Sequence, residues 1–275
     1  MTPTDHYAVF GHPIAHSQSP RIHTLFAAAT RQAMTYQAED VPPEGFDEAV
    51  RRFIASGGRG LNLTVPLKEL AFRMAHSVSP EAARSKAVNT FLVSPDGHIH
   101  GDNTDGRGLV RDLTLNLGIP MRGQRILILG AGGATRGILE PLLKLGPAAV
   151  TLTNRTAEKA LQLVLEFEDL GPLKAVPMEA LEDQPYDMIL NATAASLSGD
   201  LPPLPDHVLA DGGTCYDLAY GKEPTPFVEW GLQHGAAISS DGLGMLVEQA
   251  AEAFFLWRGI RPETAPVIET LQRAS

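Results

Sequence analysis

Four short segments place polar side chains where a buried strand end or an ordinary loop has no use for them. They are His16-Ser17-Gln18-Ser19-Pro20, Asn62-Leu63-Thr64-Val65-Pro66-Leu67-Lys68, Val88-Asn89-Thr90 and Gly101-Asp102-Asn103-Thr104-Asp105-Gly106. Pro66 suits the first turn of a helix, which puts Lys68 just inside the helix start. A cation there opposes the helix macrodipole, and such violations of local preference are expected at functional sites. Metal chemistry is a poorer reading. The Asp102 segment resembles a calcium loop, but Thr104 occupies a ligand position and Leu113 stands where the bidentate Glu belongs. His12 and His16 are four apart, but Pro13 argues against a helix between them, so no metal site is expected. Cys215 beside a strand reads as a small buried hydrophobe rather than a nucleophile.

A second chemistry is written in Gly130-Ala131-Gly132-Gly133-Ala134. After a strand and before a helix, such glycines allow a tight turn and bring backbone N–H groups close to a pyrophosphate. Position 135 is Thr, so the pattern is G-x-G-G-A rather than strict G-x-G-x-x-G. The next strand ends in Thr153-Asn154-Arg155-Thr156, with Lys159 one turn on and no carboxylate at the strand end. A carboxylate there would grip the ribose hydroxyls of NAD, whereas the guanidinium of Arg155 suits a 2′-phosphate. NADP is therefore the expected cofactor, with Glu158 the nearest acid.

The elements that must position these groups alternate between strand and helix. Tyr7–Phe10, Met34–Ala38 and Gly60–Val65 read as strands, with Leu61, Leu63 and Val65 sharing one face. Pro20–Arg31 reads as a helix with Ile22, Leu25, Phe26 and Ala29 on its apolar face, and Phe46–Ala55 as a second. Such alternation predicts a parallel sheet covered by helices. Residues 125–129 (Arg-Ile-Leu-Ile-Leu) are a continuous apolar run typical of a strand buried on both faces. A helix opening at Gly137, a strand over 148–153, a helix over 157–167 and strands at 187–191 and 216–218 give the order of a dinucleotide-binding fold. Leu243–Trp257 reads as a long helix that returns to the first domain, giving two chain crossings and a cleft. The expected fold is α/β with two domains: an N-terminal α/β substrate domain, residues 1–105 plus 241–275, and a Rossmann-like NADP-binding domain, residues 106–240.

The 275 residues carry a net charge of −10, which argues against sequence-independent nucleic-acid binding. The single cysteine fits a reducing cytoplasm, and neither a signal peptide nor a membrane-spanning run is expected.

The motifs S-x-S-P (Ser17-Gln18-Ser19-Pro20), N-x-T-x-P-x-K, V-N-T, G-x-N-T-D-x-x-G, G-A-G-G-A, N-R-T, N-A-T and D-G-L-G-M-L-x-x-Q occur in one order along nearly the whole chain. In that order they resemble the shikimate dehydrogenase family. The resemblance implies reversible NADPH-dependent reduction of 3-dehydroshikimate to shikimate in aromatic amino-acid biosynthesis. It implies that Ser17, Ser19 and Tyr220 hold the substrate carboxylate, and that Asn62, Thr64, Asn89, Asp105 and Gln249 hold the ring hydroxyls. Lys68 and Asp105 would be the catalytic pair. Gly130, Ala131, Gly132, Gly133, Ala134, Asn154, Arg155, Thr156, Lys159, Thr193, Leu218 and Gly242 match the family's NADP-binding positions.

The sequence departs from the family at Ala194-Ala195-Ser196, where N-A-T-S-x-G would continue, at Ser79-Pro80, where an acid is frequent, and at Leu218, where close relatives carry Met. Two alternatives stay open: a quinate/shikimate dehydrogenase of broader specificity, and a non-catalytic NADP-binding sensor. The expected partner is a small-molecule substrate, with no nucleic acid and no membrane, and the protein is expected to be a cytoplasmic monomer or homodimer.

Overall fold

The structure is a computed structural model that describes residues 4–181 and 185–273. Residues 1–3, part of the N-terminal stretch read as lacking a signal peptide, lie outside the described residues. The chain divides into two compact units. One comprises the described residues up to Gly108 with Val247–Leu271; the other comprises Leu109–Leu246 and the described residues from Gln272 on.

The first unit begins with strand β1 (Asp5–Gly11), helix α1 (Ser19–Thr30), β2 (Met34–Asp40), α2 (Phe46–Ala55) and β3 (Gly58–Leu63). It continues through α3 (Lys68–Met74), β4 (Ser77–Val78), α4 (Pro80–Ser85), β5 (Thr90–Val93) and β6 (Ile99–Asp102) into α5 (Asp105–Arg111). The sheet order is β2-β1-β3-β5-β6-β4. It is mixed rather than parallel: β5 runs antiparallel to both β3 and β6. The expectation of a parallel sheet holds for β2, β1 and β3 and for the pair β4–β6, and fails at β5, which forms a hairpin with β6 and runs against every other strand; strands this short leave little hydrophobic pattern. Ala8, Phe10, Phe46, Val50, Leu61, Leu63 and Phe91 form the core between this sheet and α2.

Two local readings change. Strand β3 stops at Leu63, and Val65 is 71% exposed instead of sharing the face of Leu61 and Leu63. Pro66 has no N–H to continue a ladder, so the chain turns from Thr64 to Leu67, closed by Leu67 N donating to Thr64 O at 2.8 Å. Pro66 thus precedes the helix, and Lys68 is the first residue of α3. On α1 the buried residues are Ser19, Ile22, His23 and Phe26, while Ala29 is exposed. His23 takes a core position because its ring stacks on Tyr36, 4.1 Å between centroids at 8°.

The second unit holds β7 (Arg125–Leu129), α6 (Gly133–Leu143), β8 (Ala149–Thr153), α7 (Ala157–Phe167), β9 (Leu173–Ala175) and β10 (Tyr186–Asn191). Then come β11 (Leu209–Asp217), α8 (Pro226–Gln233) and β12 (Ile238–Ser240), after which α9 (Leu243–Arg258) and α10 (Ala265–Gln272) lead the chain into the first unit. Helix α6 opens at Gly133, one turn before the expected Gly137, because the glycine loop itself forms the first turn. The sheet order β12-β11-β10-β7-β8-β9 is wholly parallel. This is the doubly wound dinucleotide-binding order, with its switch point between β7 and β10.

Within the first unit, Trp257 of α9 stacks on Tyr7 and donates its Nε1 proton to Phe91 O at 2.9 Å. A Cβ at Gly60 would lie 2.4 Å from that nitrogen, so glycine is required where the helix meets the sheet. Among the described residues no helix is long and apolar enough to cross a membrane.

His23 is fully buried, and burial pushes its pKa down to about 3, with the Asn62 side chain partly opposing the shift. The unfolded chain binds this proton near pH 6.5 and the folded chain does not, so stability is lost as pH falls from 6.5 toward 3. At pH 4.5 the loss from this one group is about 2–3 kcal/mol. Urea unfolding of His23→Phe should therefore show a midpoint that falls less between pH 7 and pH 4.5 than that of the unaltered protein.

Candidate active site

The antiparallel pairing of Thr90 with Asp102 lays the residues before β5 beside those after β6. Asn89 N donates to Asp102 O at 3.0 Å, and Leu63 N donates to Asn89 O at 2.8 Å. The loop after β6 is shaped by its own side chains. Asp102 is buried and accepts from Ser79 Oγ at 2.6 Å, from Asn103 N at 2.7 Å and from Arg107. Asn103 Oδ1 accepts from Asp105 N at 3.1 Å, while its Nδ2 donates to Ser85 Oγ and Ala87 O. Asp105 therefore enters α5 with its backbone already held. On the opposite side, buried Leu67 anchors the start of α3, and Lys68 O accepts from Val88 N at 3.0 Å.

These constraints bring Lys68 and Asp105 together. Nζ donates to Oδ2 at 2.6 Å, with the side chains 28% and 12% exposed. Asn89 Nδ2 donates to the other carboxylate oxygen, Oδ1, at 2.7 Å and to Thr104 Oγ1 at 2.9 Å. Asn89 Oδ1 accepts from Thr90 Oγ1 at 2.8 Å and from Thr104 N at 2.9 Å. Gln249 on α9 joins the cluster, its Oε1 3.4 Å from Asn89 Nδ2 and 3.3 Å from Thr104 Oγ1. Asn62 on β3 donates to Asn89 O and Thr90 Oγ1 and accepts from Tyr36 OH at 2.7 Å.

Lys68, Asp105, Asn89, Gln249 and Asn62 thus form one hydrogen-bonded cluster. The structure adds Tyr36, Thr90, Asp102, Asn103 and Thr104. Asp102 and Asn103 are visible in the sequence as turn-forming residues, since short polar side chains bond nearby backbone N–H groups. Nothing in the sequence marks Tyr36. Thr64 sits half-buried at the end of β3, its N donating to Phe10 O, and no side-chain hydrogen bond ties it to the cluster. Ser17 and Ser19 lie at the start of α1, where Ser17 Oγ accepts from Ser19 N at 3.3 Å. Tyr220 belongs to the second unit; burial, reinforced by the charge on Asp241, pushes its phenol up, so it stays a hydroxyl at neutral pH.

At the C-terminal end of β7, Gly130 has φ +103° and an added Cβ would lie 3.1 Å from Ala192 O. Gly132 and Gly133 are exposed, with nothing within 4 Å of an added Cβ, so the loop presents backbone to open space. Asn154 shapes this loop by accepting from Ala131 N at 3.2 Å and donating to Thr156 O at 2.8 Å. Ala134, Arg155, Thr156 and Lys159 are exposed, and Thr193 donates to Asn191 Oδ1 at 2.7 Å. Leu218 and Gly242 meet closely: a Cβ at 242 would fall 2.3 Å from Leu218 O. Among the described residues no group of three or more His, Cys, Asp or Glu is placed to hold a metal. Cys215 is buried and burial pushes its thiol up to about 12, which fits a packing role.

Three family models match the chain. Residues 9–91 match the shikimate dehydrogenase substrate binding domain, 114–198 match shikimate / quinate 5-dehydrogenase, and 242–272 match the shikimate 5'-dehydrogenase C-terminal domain. The protein named shikimate dehydrogenase (NADP(+)) from Methylococcus capsulatus is 62% identical over 272 residues, covering 99% of this chain and 98% of the relative. This chain belongs to the shikimate dehydrogenase family. Among solved structures, shikimate 5-dehydrogenase from Thermus thermophilus in complex with NADP(H) and shikimate has a TM-score of 0.88 at 37% identity, covering 99% of this chain and all of that one. An Ael1 enzyme from Pseudomonas putida has a TM-score of 0.93 at 48% identity, with 98% of each chain covered.

Against that family pattern, the departure at residues 194–196 has a structural counterpart. Ser196 donates to Asp217, a fully buried carboxylate that also accepts from Thr225 Oγ1, Asn191 Nδ2 and Ala219 N. The shifted hydroxyl thus joins the end of β10 to the end of β11. Ser196→Ala removes one donor from a buried charge and should cost about 1–3 kcal/mol. Guanidinium unfolding followed by circular dichroism checks this.

Proposed function

We propose that this protein is a shikimate dehydrogenase that reversibly reduces 3-dehydroshikimate to shikimate with NADPH in aromatic amino-acid biosynthesis. The observation that carries the reading is the Lys68–Asp105 pair, held by Asn89, in a chain whose relatives at 52–62% identity are named NADP-dependent shikimate dehydrogenases.

The chemistry asked of the protein is control of one proton. NADP(H), when bound, supplies or accepts the hydride at the carbinol carbon. Ketone reduction leaves an alkoxide, and Lys68 is the cation placed to stabilise it and to give it a proton. In the reverse direction Lys68 takes the hydroxyl proton. Asp105 orients Nζ through Oδ2, while Asn89 fixes the carboxylate through Oδ1.

Asn62, Thr64, Asn89, Asp105 and Gln249 are assigned the ring hydroxyls, and the hydroxyls of Ser17, Ser19 and Tyr220 the carboxylate. The residues of the second unit fit the cofactor's phosphates. Gly132 and Gly133 offer open backbone at the start of α6, with Ala134 following. The Ala131 N–H is engaged by Asn154 instead. Arg155 and Lys159, with Thr156 between them, leave the end of β8 cationic, as a 2′-phosphate requires. Thr193, Leu218 and Gly242 line the ends of β10 and β11 and are assigned to the nicotinamide side. The protein is read as a cytoplasmic enzyme, monomeric or homodimeric.

The deciding assay follows NADPH oxidation by 3-dehydroshikimate beside NADH and, in reverse, shikimate beside quinate. Turnover confined to NADPH and the shikimate pair is expected; comparable quinate turnover would move the protein to the broader-specificity branch. Lys68→Ala should lower kcat by roughly 10²- to 10⁴-fold with little change in substrate binding, as for loss of a general acid. Arg155→Ala should weaken NADPH binding far more than NADH binding. Equal losses for both cofactors, measured by fluorescence titration, would remove Arg155 from the 2′-phosphate.

A further inference from the structure

The cluster around Asp105 extends, through hydrogen bonds of fixed direction, to residues that touch neither member of the catalytic pair. Asn89 O is a carbonyl and can only accept, so Asn62 must turn its Nδ2 toward it, at 3.2 Å. Asn62 Oδ1 then faces Tyr36, whose hydroxyl donates to it at 2.7 Å. The second Nδ2 proton of Asn62 goes to Thr90 Oγ1 at 3.0 Å. Having accepted it, Thr90 donates its single proton to Asn89 Oδ1 at 2.8 Å. With Oδ1 filled by Thr90 Oγ1 and Thr104 N, Asn89 is left to present Nδ2 to Asp105 Oδ1 at 2.7 Å. The chain therefore reads Tyr36 to Asn62 to Thr90 to Asn89 to Asp105, and Lys68 closes it on Oδ2.

We propose that Thr90 and Tyr36 are positioning residues of the reaction, setting the orientation of the Asn89 and Asn62 amides and, through Asn89, of Asp105. Thr90 is wholly buried on β5, facing Asn62 across the ladder to β3 and Asp102 across the ladder to β6. Among the described residues its hydroxyl is the only group linking the Asn62 amide to the Asn89 side-chain oxygen Oδ1. Tyr36 is held from behind by the stacked His23 ring, which is packed in turn against Phe26, Phe254 and Trp257. One consequence follows for Asn62. Both its amide protons are used inside the protein, so it can meet a ligand hydroxyl only as an acceptor, through Oδ1.

The inference rests on the function proposed above, and its test separates the two. Thr90→Val keeps the shape and deletes the hydroxyl; Thr90→Ser restores it; Tyr36→Phe keeps the ring on His23 and deletes the phenol. For Thr90→Val, kcat for shikimate oxidation should fall by roughly 10- to 100-fold, as for a modest misplacement of a catalytic group, with KM for shikimate within about threefold. Thr90→Ser should return kcat to within about threefold of the parent. In the 15N-asparagine-labelled full chain, the Asn62 and Asn89 side-chain amide protons should exchange slowly with water. Thr90→Val should speed the exchange of both amides, and Tyr36→Phe that of Asn62. The proposal is overturned if Thr90→Val keeps kcat within threefold of the parent, if Thr90→Ser is as impaired as Thr90→Val, or if amide exchange is unchanged. If Thr90→Val does not fold, Thr90→Ser and Tyr36→Phe carry the test. If the unaltered protein does not oxidise shikimate, the functional reading fails, and amide exchange still decides whether the chain orients the two amides.

Discussion

Two backbone hydrogen bonds of Asn89, its N–H to Asp102 O and its O from Leu63 N, fasten the end of β3 to the hairpin β5–β6. The first unit's polar cluster depends on them. They put the Asn89 side chain between the β6–α5 loop and the edge of β3, where it meets Thr104, Asp105 and Thr90 together. A shift of one residue in the β5–β6 register would turn Asn89 to the other face of the sheet and leave Asp105 without its Oδ1 donor. That register is secured by burial, because Phe91 and Ile99 must stay in the core shared with Leu61 and Leu63. Packing of apolar side chains thereby fixes a hydrogen-bond geometry several bonds away.

The second unit meets its constraint differently. Its strands are all parallel, so every loop that follows a strand lies on one side of the sheet, and the switch point between β7 and β10 leaves a crevice there. The glycine loop after β7 and the Asn191–Thr193 turn after β10 border it. Gly130 can approach Ala192 only because it lacks a Cβ and adopts a positive φ. Buried Asp217 at the end of β11 gathers donors from Asn191, Ser196 and Thr225 and so ties the β10 and β11 ends together. Here a charge with its lone pairs occupied does what the apolar register does in the first unit.

Much of this is legible in the sequence, and the failures are specific. Arg125–Leu129 reads correctly as a doubly buried strand, because an apolar run directly before a glycine loop suits a central parallel strand and little else. The run Gly60–Val65 misleads at its end, since period-2 alternation persists into Val65 although Pro66 has already turned the chain out of the sheet. Strands β5 and β6 leave no signal because four residues are too few to show a period. The site residues are visible as polar types in unlikely places, but their wiring is not. Tyr36 looks like an ordinary strand aromatic, and its role emerges only when parallel pairing places β2 one strand away from β3, with β1 between. His23 goes unmarked in the sequence for a related reason: titratable residues are expected on helix surfaces, whereas a neutral imidazole stacked on a phenol behaves as an apolar ring.

The Lys68–Asp105 pair shows why stability alone does not account for the site. Both residues open helices. A carboxylate at the first position of α5 is favoured by the helix dipole and an ammonium at the first position of α3 is disfavoured, each by about 0.3–1 kcal/mol, so the two effects nearly cancel. The pair is only partly exposed, and desolvating two charges can offset their attraction. What remains is geometry. Asp105 Oδ1 is occupied by Asn89 and Oδ2 by Lys68, each oxygen retaining one lone pair, and Nζ keeps two protons for other acceptors. A ligand hydroxyl arriving there can donate to the carboxylate, while an oxygen that becomes negative during reaction can accept from Nζ. The fold holds a cation and an anion a hydrogen bond apart with spare capacity on both, and that capacity is what the proposed reversible proton transfer would use.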